Sequence, residues 1–225
     1  MATAVLEKPE KTLADVLHDL GDIPVERIRF PIGSATEEDV IRLLDGDDKH
    51  LCELIDGVLV EKDMGVRESI IGLRCGRYVD AYLEDHDRGI VFGSDGPVRL
   101  KRGRIRFPDT GFVAWERILD DDYLEHAILD AVPNLAIEVI SKGNTRREME
   151  LKLEDYFRAG VQLVWYNYPK TQSAIVYTSP SSKKEIGIDG ALDGGKVLPG
   201  FSLPLKKLFA RTRRRNGRQR GNGSK

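Results

Sequence analysis

Leu135-Ala136-Ile137-Glu138-Val139-Ile140 is the stretch on which the reading of this chain turns. A continuous apolar run of this length has the character of a central β-strand buried on both faces. The carboxylate of Glu138 is out of place there, because a buried, unpartnered charge costs several kcal/mol. Something must stabilise it: a cation, a lysine or arginine, or an open site at the end of the sheet. The alternative is a half-exposed strand from which Glu138 faces solvent.

The residues that follow supply a candidate partner. Thr145-Arg146-Arg147-Glu148 is a capping box, so a helix is expected from there to about residue 159, ending at Gly160. Met149, Lys152, Leu153 and Tyr156 fall on the i, i+3, i+4, i+7 stripe that should face the sheet. A lysine on that stripe must either snorkel to water or meet an acid. The link from Glu138 is short enough for Lys152 to reach back to the carboxylate. Two alternatives stay open, a pair between Lys152 and Glu148 within the helix and a partnership of Glu138 with Lys142 instead.

Working outward, residues 161–168 and 174–178 read as strands separated by Pro169 to Gln172. Residues 187–195 are turn-rich, and 203–209 suggest a last helical turn. Upstream, Asp56-Gly57 lies between Leu51-Cys-Glu-Leu-Ile55 and Val58-Leu-Val-Glu-Lys62, a strong hairpin signal. Ile70, Ile71, Leu73, Tyr78, Val79 and Tyr82 recur near helical spacing, so 66–83 should form one amphipathic helix. Short strands are expected at 90–93, 98–101, 104–106 and 111–115. Thr36-Glu-Glu-Asp39 opens a helix to about Leu44, and 13–20 a shorter one. Residues 1–10 look like a loose start. The order hairpin, helix, strands, helix, strands implies one α/β domain with a mixed central sheet flanked by helices. Its expected limits are 21–209, with an N-terminal extension over 1–20 and a disordered basic tail over 210–225.

The 225 residues are 40% hydrophobic and 32% charged, enough for a packed core and against wholesale disorder. The net charge of −2 hides a division. Residues 211–225 hold six Arg, one Lys and no acid, +7, while the remainder has 28 basic and 37 acidic groups, −9. No apolar run is long enough for a membrane span, and the N-terminus lacks the features of a secretory signal. Two cysteines, Cys52 and Cys75, are too few for a disulfide scaffold, so a cytoplasmic protein with reduced thiols is expected. The four histidines lie at least 32 residues apart, so any metal would be held mostly by oxygen.

Two further carboxylates belong to the chemical reading. Asp109 follows Pro108 at the entrance to the 111–115 strand; alone, the pair would be an ordinary turn. Glu68 opens the long helix, where the helix dipole is sufficient reason for an acid. Taken together, two or three carboxylates and a lysine suit metal-dependent phosphodiester hydrolysis. Mg²⁺ prefers oxygen ligands and keeps several waters, so Asp109 and Glu138 would suffice as anchors, while an ammonium orients water or offsets developing charge. No Ser-His-Asp arrangement, P-loop or Gly-x-Gly-x-x-Gly element competes.

An ordered set of motifs resembles the Uma-two family: Glu53-Leu-Ile-Asp-Gly-Val-Leu-Val-Glu61, Arg67-Glu-Ser69, Arg106-Phe-Pro-Asp109, Leu135-Ala-Ile-Glu-Val-Ile-Ser141, Gly143-Asn-Thr145, Lys152, Tyr156-Phe-Arg-Ala-Gly-Val161, Val164-Trp165 and Leu198-Pro-Gly-Phe201. The resemblance runs from about residue 20 to 209. It implies a restriction-endonuclease-like fold of the PD-(D/E)XK nuclease superfamily and a divalent-metal site, Mg²⁺ or Mn²⁺. Asp109 matches the Asp of the PD motif and Glu138 the acid of the (D/E)XK motif. The position two after Glu138 is Ile140 rather than Lys, and Lys152 on the following helix fits the displaced lysine. Glu68 fits the helical acid of many such nucleases.

Nucleic acid is therefore the expected partner, DNA ahead of RNA, with a homodimer compatible with two-strand cutting. Arg67, Arg104, Arg106 and Arg146 are the candidate phosphate contacts, expected to form a cationic rim around the acidic centre. The expected activity is that of a Mg²⁺-dependent endonuclease with Glu68, Asp109, Glu138 and Lys152 as catalytic residues. Its alternatives are an inactive binding module of the same fold and a hydrolase of another phosphorylated substrate.

Overall fold

The computed structural model describes residues 11–47, 50–63 and 65–210, so the expectations for 1–10 and for the basic 211–225 segment lie outside the described residues. In chain order the elements are α1 (Leu13–Asp19), β1 (Ile28–Ile32), α2 (Glu37–Asp45), β2 (Cys52–Ile55), β3 (Val58–Glu61), α3 (Val66–Asp85), β4 (Gly89–Gly93), β5 (Val98–Lys101), β6 (Arg104–Arg106), β7 (Thr110–Ala114), β8 (Leu135–Val139), α4 (Arg146–Ala159), β9 (Leu163–Tyr168), β10 (Ser173–Tyr177), β11 (Lys183–Ile186), β12 (Ala191–Asp193), β13 (Ser202–Pro204) and α5 (Leu205–Leu208). Local chemistry accounts for the main boundaries. Asp56 and Gly57 take φ of 49° and 82°, the left-handed pair that a two-residue hairpin turn requires. Thr145 caps α4 by accepting the Glu148 N–H, and Gly160 ends it in the left-handed conformation.

The strands divide between sheets instead of forming the one central sheet the sequence suggests. Six strands run in the order β11-β10-β9-β8-β7-β4, with β8 and β9 parallel and the other pairs antiparallel. Five more form an all-antiparallel sheet in the order β1-β3-β2-β6-β5, and β12 pairs with β13. The hairpin is thus the middle of a second sheet. Its neighbours β1 and β6 come from distant parts of the chain, which no local periodicity records. The strands not foreseen are β1, β11 and the short β12–β13 pair, and the first two are sheet edges. One holds Pro31 and the other two lysines, residues that disguise and protect edges.

Alternation then decides which side chain faces which layer. On β8, Leu135, Ile137 and Val139 pack against Ile71, Cys75 and Val79 of α3. Ala136 faces the other way, among Met149, Leu153 and Tyr156 of α4, and Glu138 shares its register. On β2, Cys52 and Leu54 pack with Val40 of α2, so Glu53 points to the opposite face. Helix α4 lies between the two sheets: its apolar stripe packs with Ala136, Val164 and Tyr166 of the six-stranded one and with Val98 and Leu100 of β5, while Lys152 and Asp155 form ion pairs with side chains of the five-stranded one. Among the described residues, no helix is long and apolar enough to cross a membrane.

Candidate active site

Pairing of β7 with β8 sets Thr110 opposite Ile137, which brings Asp109 beside Glu138 at the mouth of the sheet. The Val139 N–H donates to Asp109 Oδ2 at 2.6 Å and fixes that carboxylate. Helix α3 passes close behind. A Cβ on Gly72 would stand 3.2 Å from the Asp109 carbonyl oxygen, and the Thr110 hydroxyl donates to the Gly72 carbonyl at 2.8 Å. Lys62, just past β3, reaches Asp109 Oδ1 at 2.8 Å and the Ser94 carbonyl at 3.3 Å.

Glu138 is 4% exposed. Its Oε1 lies 2.9 Å from Lys152 Nζ and accepts the Tyr156 hydroxyl at 2.5 Å. Lys152 also pairs with Glu53 Oε1 at 2.9 Å, and Arg106 Nη1 donates to Glu53 Oε2 at 2.6 Å. Arg106 and Arg104 both donate to Asp155 Oδ2, and Arg104 continues to Asp56 at the surface. Charges thus alternate in sign from the cleft outward.

The protonation tendencies follow from this geometry. Burial raises the Glu138 carboxyl above the ordinary range, with Lys152 offsetting part of the effect and Asp109 adding to it. Burial works against the Glu53 charge too, but Lys152 and Arg106 outweigh it and hold that carboxyl well below the usual value. Burial also opposes the Lys152 charge, and Glu138 and Glu53 overcome it, so the ammonium is held more firmly than usual. Burial, then the neighbouring Glu138, pushes the Tyr156 hydroxyl well up. Tyr156 and Lys152 are therefore both donors to the buried Glu138 carboxyl.

Asp63, Lys62, Asp109, Glu138 and Lys152 border a cavity of about 10 Å³, room for roughly one water or ion. Arg27 closes one side through a 2.8 Å pair with Glu148, and Ser141 donates to Asp63 on another. Could this set hold a divalent cation? Among the described residues, no group of three or more His, Cys, Asp or Glu has that arrangement. Asp109 and Glu138 nevertheless fit as two hard oxygen donors on neighbouring strands. Water would have to supply the remaining ligands.

Asp109, Glu138 and Lys152 therefore come together as the sequence suggests. The alternatives for Lys152 do not describe it: Glu148 pairs with Arg27, and Lys142 lies in an adjoining groove. Glu68 lines that same groove, outside the cavity, beside Gly65 and Arg67. Arg146 is exposed and pairs with Glu150 at 2.7 Å. Two expectations need correction. Arg104 and Arg106 are not on a cationic rim; they are 8% and 3% exposed, turned inward by strand alternation and consumed by Glu53, Asp155 and Asp56. Sequence reasoning missed Glu53, which carries the same signal as Glu138, an acid inside an apolar strand. It also missed Lys62, which has no local signal at all.

The α/β core built on the mixed six-stranded sheet has a restriction-endonuclease-like fold. The chain belongs to the Uma2 family, described as "Putative restriction endonuclease", whose model matches residues 38–206 and so spans every residue of the cluster except Arg27. The same fold is seen in the crystal structure of a putative nuclease belonging to DUF820 from Anabaena variabilis ATCC 29413. That likeness has a TM-score of 0.67 and 19% identity, over 80% of this chain and 98% of that one. No curated protein matches the chain.

Proposed function

We propose that this protein is a divalent-metal-dependent endonuclease that hydrolyses phosphodiester bonds in nucleic acid, DNA in preference to RNA. The observation that carries the reading is the convergence of Asp109, Glu138 and the buried Lys152 on one small cavity at the strand ends. Asp109 and Glu138 would hold the cation, Mg²⁺ or Mn²⁺. When bound there, it would polarise the phosphate and lower the pKa of a coordinated water. Asp109 is held ready by the Val139 N–H. Lys152 Nζ keeps a fixed positive charge beside Glu138 Oε1, in a place nearly closed to solvent, where it can offset charge developing on a phosphate. Glu53 and Arg106 act behind it by locking the lysine's position.

One observation favours a second reading. Each carboxylate already has an ammonium, Lys62 on Asp109 and Lys152 on Glu138, which would suit a binding module with a purely structural ionic cluster. The test is a cleavage assay on DNA and RNA with Mg²⁺ or Mn²⁺, comparing wild type with Asp109→Ala, Glu138→Ala and Lys152→Ala. Cleavage that each folded variant loses supports the nuclease. Cleavage untouched by all three overturns the site, and no cleavage with binding retained supports the module.

A further inference from the structure

The reaction cavity does not end at Lys62 and Asp109. Asp63 borders both it and a groove of about 440 Å³ that runs past Lys142, Arg67 and Lys170. That groove shares Val66, Arg67, Pro169 and Lys170 with a larger one, about 790 Å³, reaching along α3 to Ala210. Arg74 clips the far end by donating to the Leu208 and Ala210 carbonyls, at 2.9 and 2.7 Å. The six Arg and one Lys of residues 211–225 follow directly in sequence.

Resting on the nuclease reading, we infer that this continuous groove is the path of a nucleic-acid strand leaving the reaction cavity, with Arg67, Lys142 and Lys170 as its phosphate contacts. The chemistry of the lining supports this. These three cations are exposed, make no ion pair with the described residues and line one groove together. Unpaired guanidinium and ammonium groups along a groove can meet phosphates without first breaking a protein contact. Val66 and Ile70 stand 80% and 44% exposed between them, apolar surface that sugars or unstacked bases can cover. The groove also replaces the rim that Arg104 and Arg106 cannot supply.

The test is anisotropy of a labelled oligonucleotide, single-stranded and duplex, titrated with the full chain in EDTA across a salt series, so that no cleavage is needed. Arg67→Ala/Lys170→Ala should weaken binding and flatten the salt slope by about 1.4 for a single strand or about 1.8 for a duplex. Lys183→Ala/Lys184→Ala makes the same change in charge on β11, away from the groove, and should leave the slope near the wild-type value. Equal effects of the two double variants, unaltered binding by Arg67→Ala/Lys170→Ala, or no binding by wild type would each overturn the path. Binding through the groove without metal-dependent cleavage would keep the path and refute the catalytic reading. Cleavage with an unchanged Arg67→Ala/Lys170→Ala slope would do the reverse.

Discussion

Replacing Lys152 with Met keeps much of the side-chain volume but removes the ammonium 2.9 Å from both Glu138 and Glu53. Glu53 retains Arg106, whereas Glu138, 4% exposed, keeps only the Tyr156 hydroxyl on its Oε1. Removing one partner of a buried pair costs about 3–5 kcal/mol. For a chain of this size that lowers Tm by roughly 6–20 °C, at about 2–4 °C per kcal/mol. The pH dependence has a definite sign. Burial already raises the Glu138 carboxyl, and losing Lys152 raises it further. A carboxyl raised in the folded state binds more protons than in the unfolded chain, so stability falls as pH rises through the interval from about 4.3 to the folded value. The deficit of Lys152→Met should thus be largest at neutral pH and shrink on acidification. Urea unfolding followed by the fluorescence of buried Trp165, at several pH values, measures this. The double variant Lys152→Met/Glu138→Gln should recover part of the loss at pH 7. A deficit under about 1 kcal/mol, or one that does not shrink with acid, would refute the account of the cluster.

Three other outcomes follow from the same structure. Arg106→Met should destabilise by about 3–5 kcal/mol, because it strips a cation from buried Glu53 and Asp155; exposed Arg67→Ala should stay within about 0.5 kcal/mol, both read by urea unfolding. Gly57→Ala should cost about 1–3 kcal/mol, since φ is 82° and the new Cβ would lie 2.7 Å from the Gly33 carbonyl oxygen. Cys52 and Cys75 are 0% exposed; burial, then Glu61, pushes the Cys52 thiol up to about 11, and burial raises Cys75 further. Neither should react with an aromatic disulfide reagent near neutral pH until the protein is unfolded, which absorbance would follow.

Legibility in the sequence tracked how local each signal was. The hairpin, α3, α4 and the strand bearing Glu138 were readable because a turn pair, a capping box or an apolar period sits within a few residues of each. The division into two sheets was not, since β1 joins β3, and β6 joins β2, across long separations. The same rule governs the site. Glu138 announced itself as an acid in an apolar strand, and Lys152 as a cation on an apolar helical stripe. Arg104 and Arg106 looked like surface charges because their partners Glu53 and Asp155 lie about fifty residues away in sequence. Lys62 follows a strand among other polar residues, and only the folded chain shows it on Asp109.

The central claim is that Asp109 and Glu138 share one divalent cation. Titration of the full chain with Mn²⁺, with free ion read by electron paramagnetic resonance, tests it without any substrate. The account predicts one Mn²⁺ bound per wild-type chain and loss of that site in both Asp109→Asn and Glu138→Gln. Binding of equal stoichiometry and affinity in all three proteins, or no Mn²⁺ bound by wild type, would contradict it.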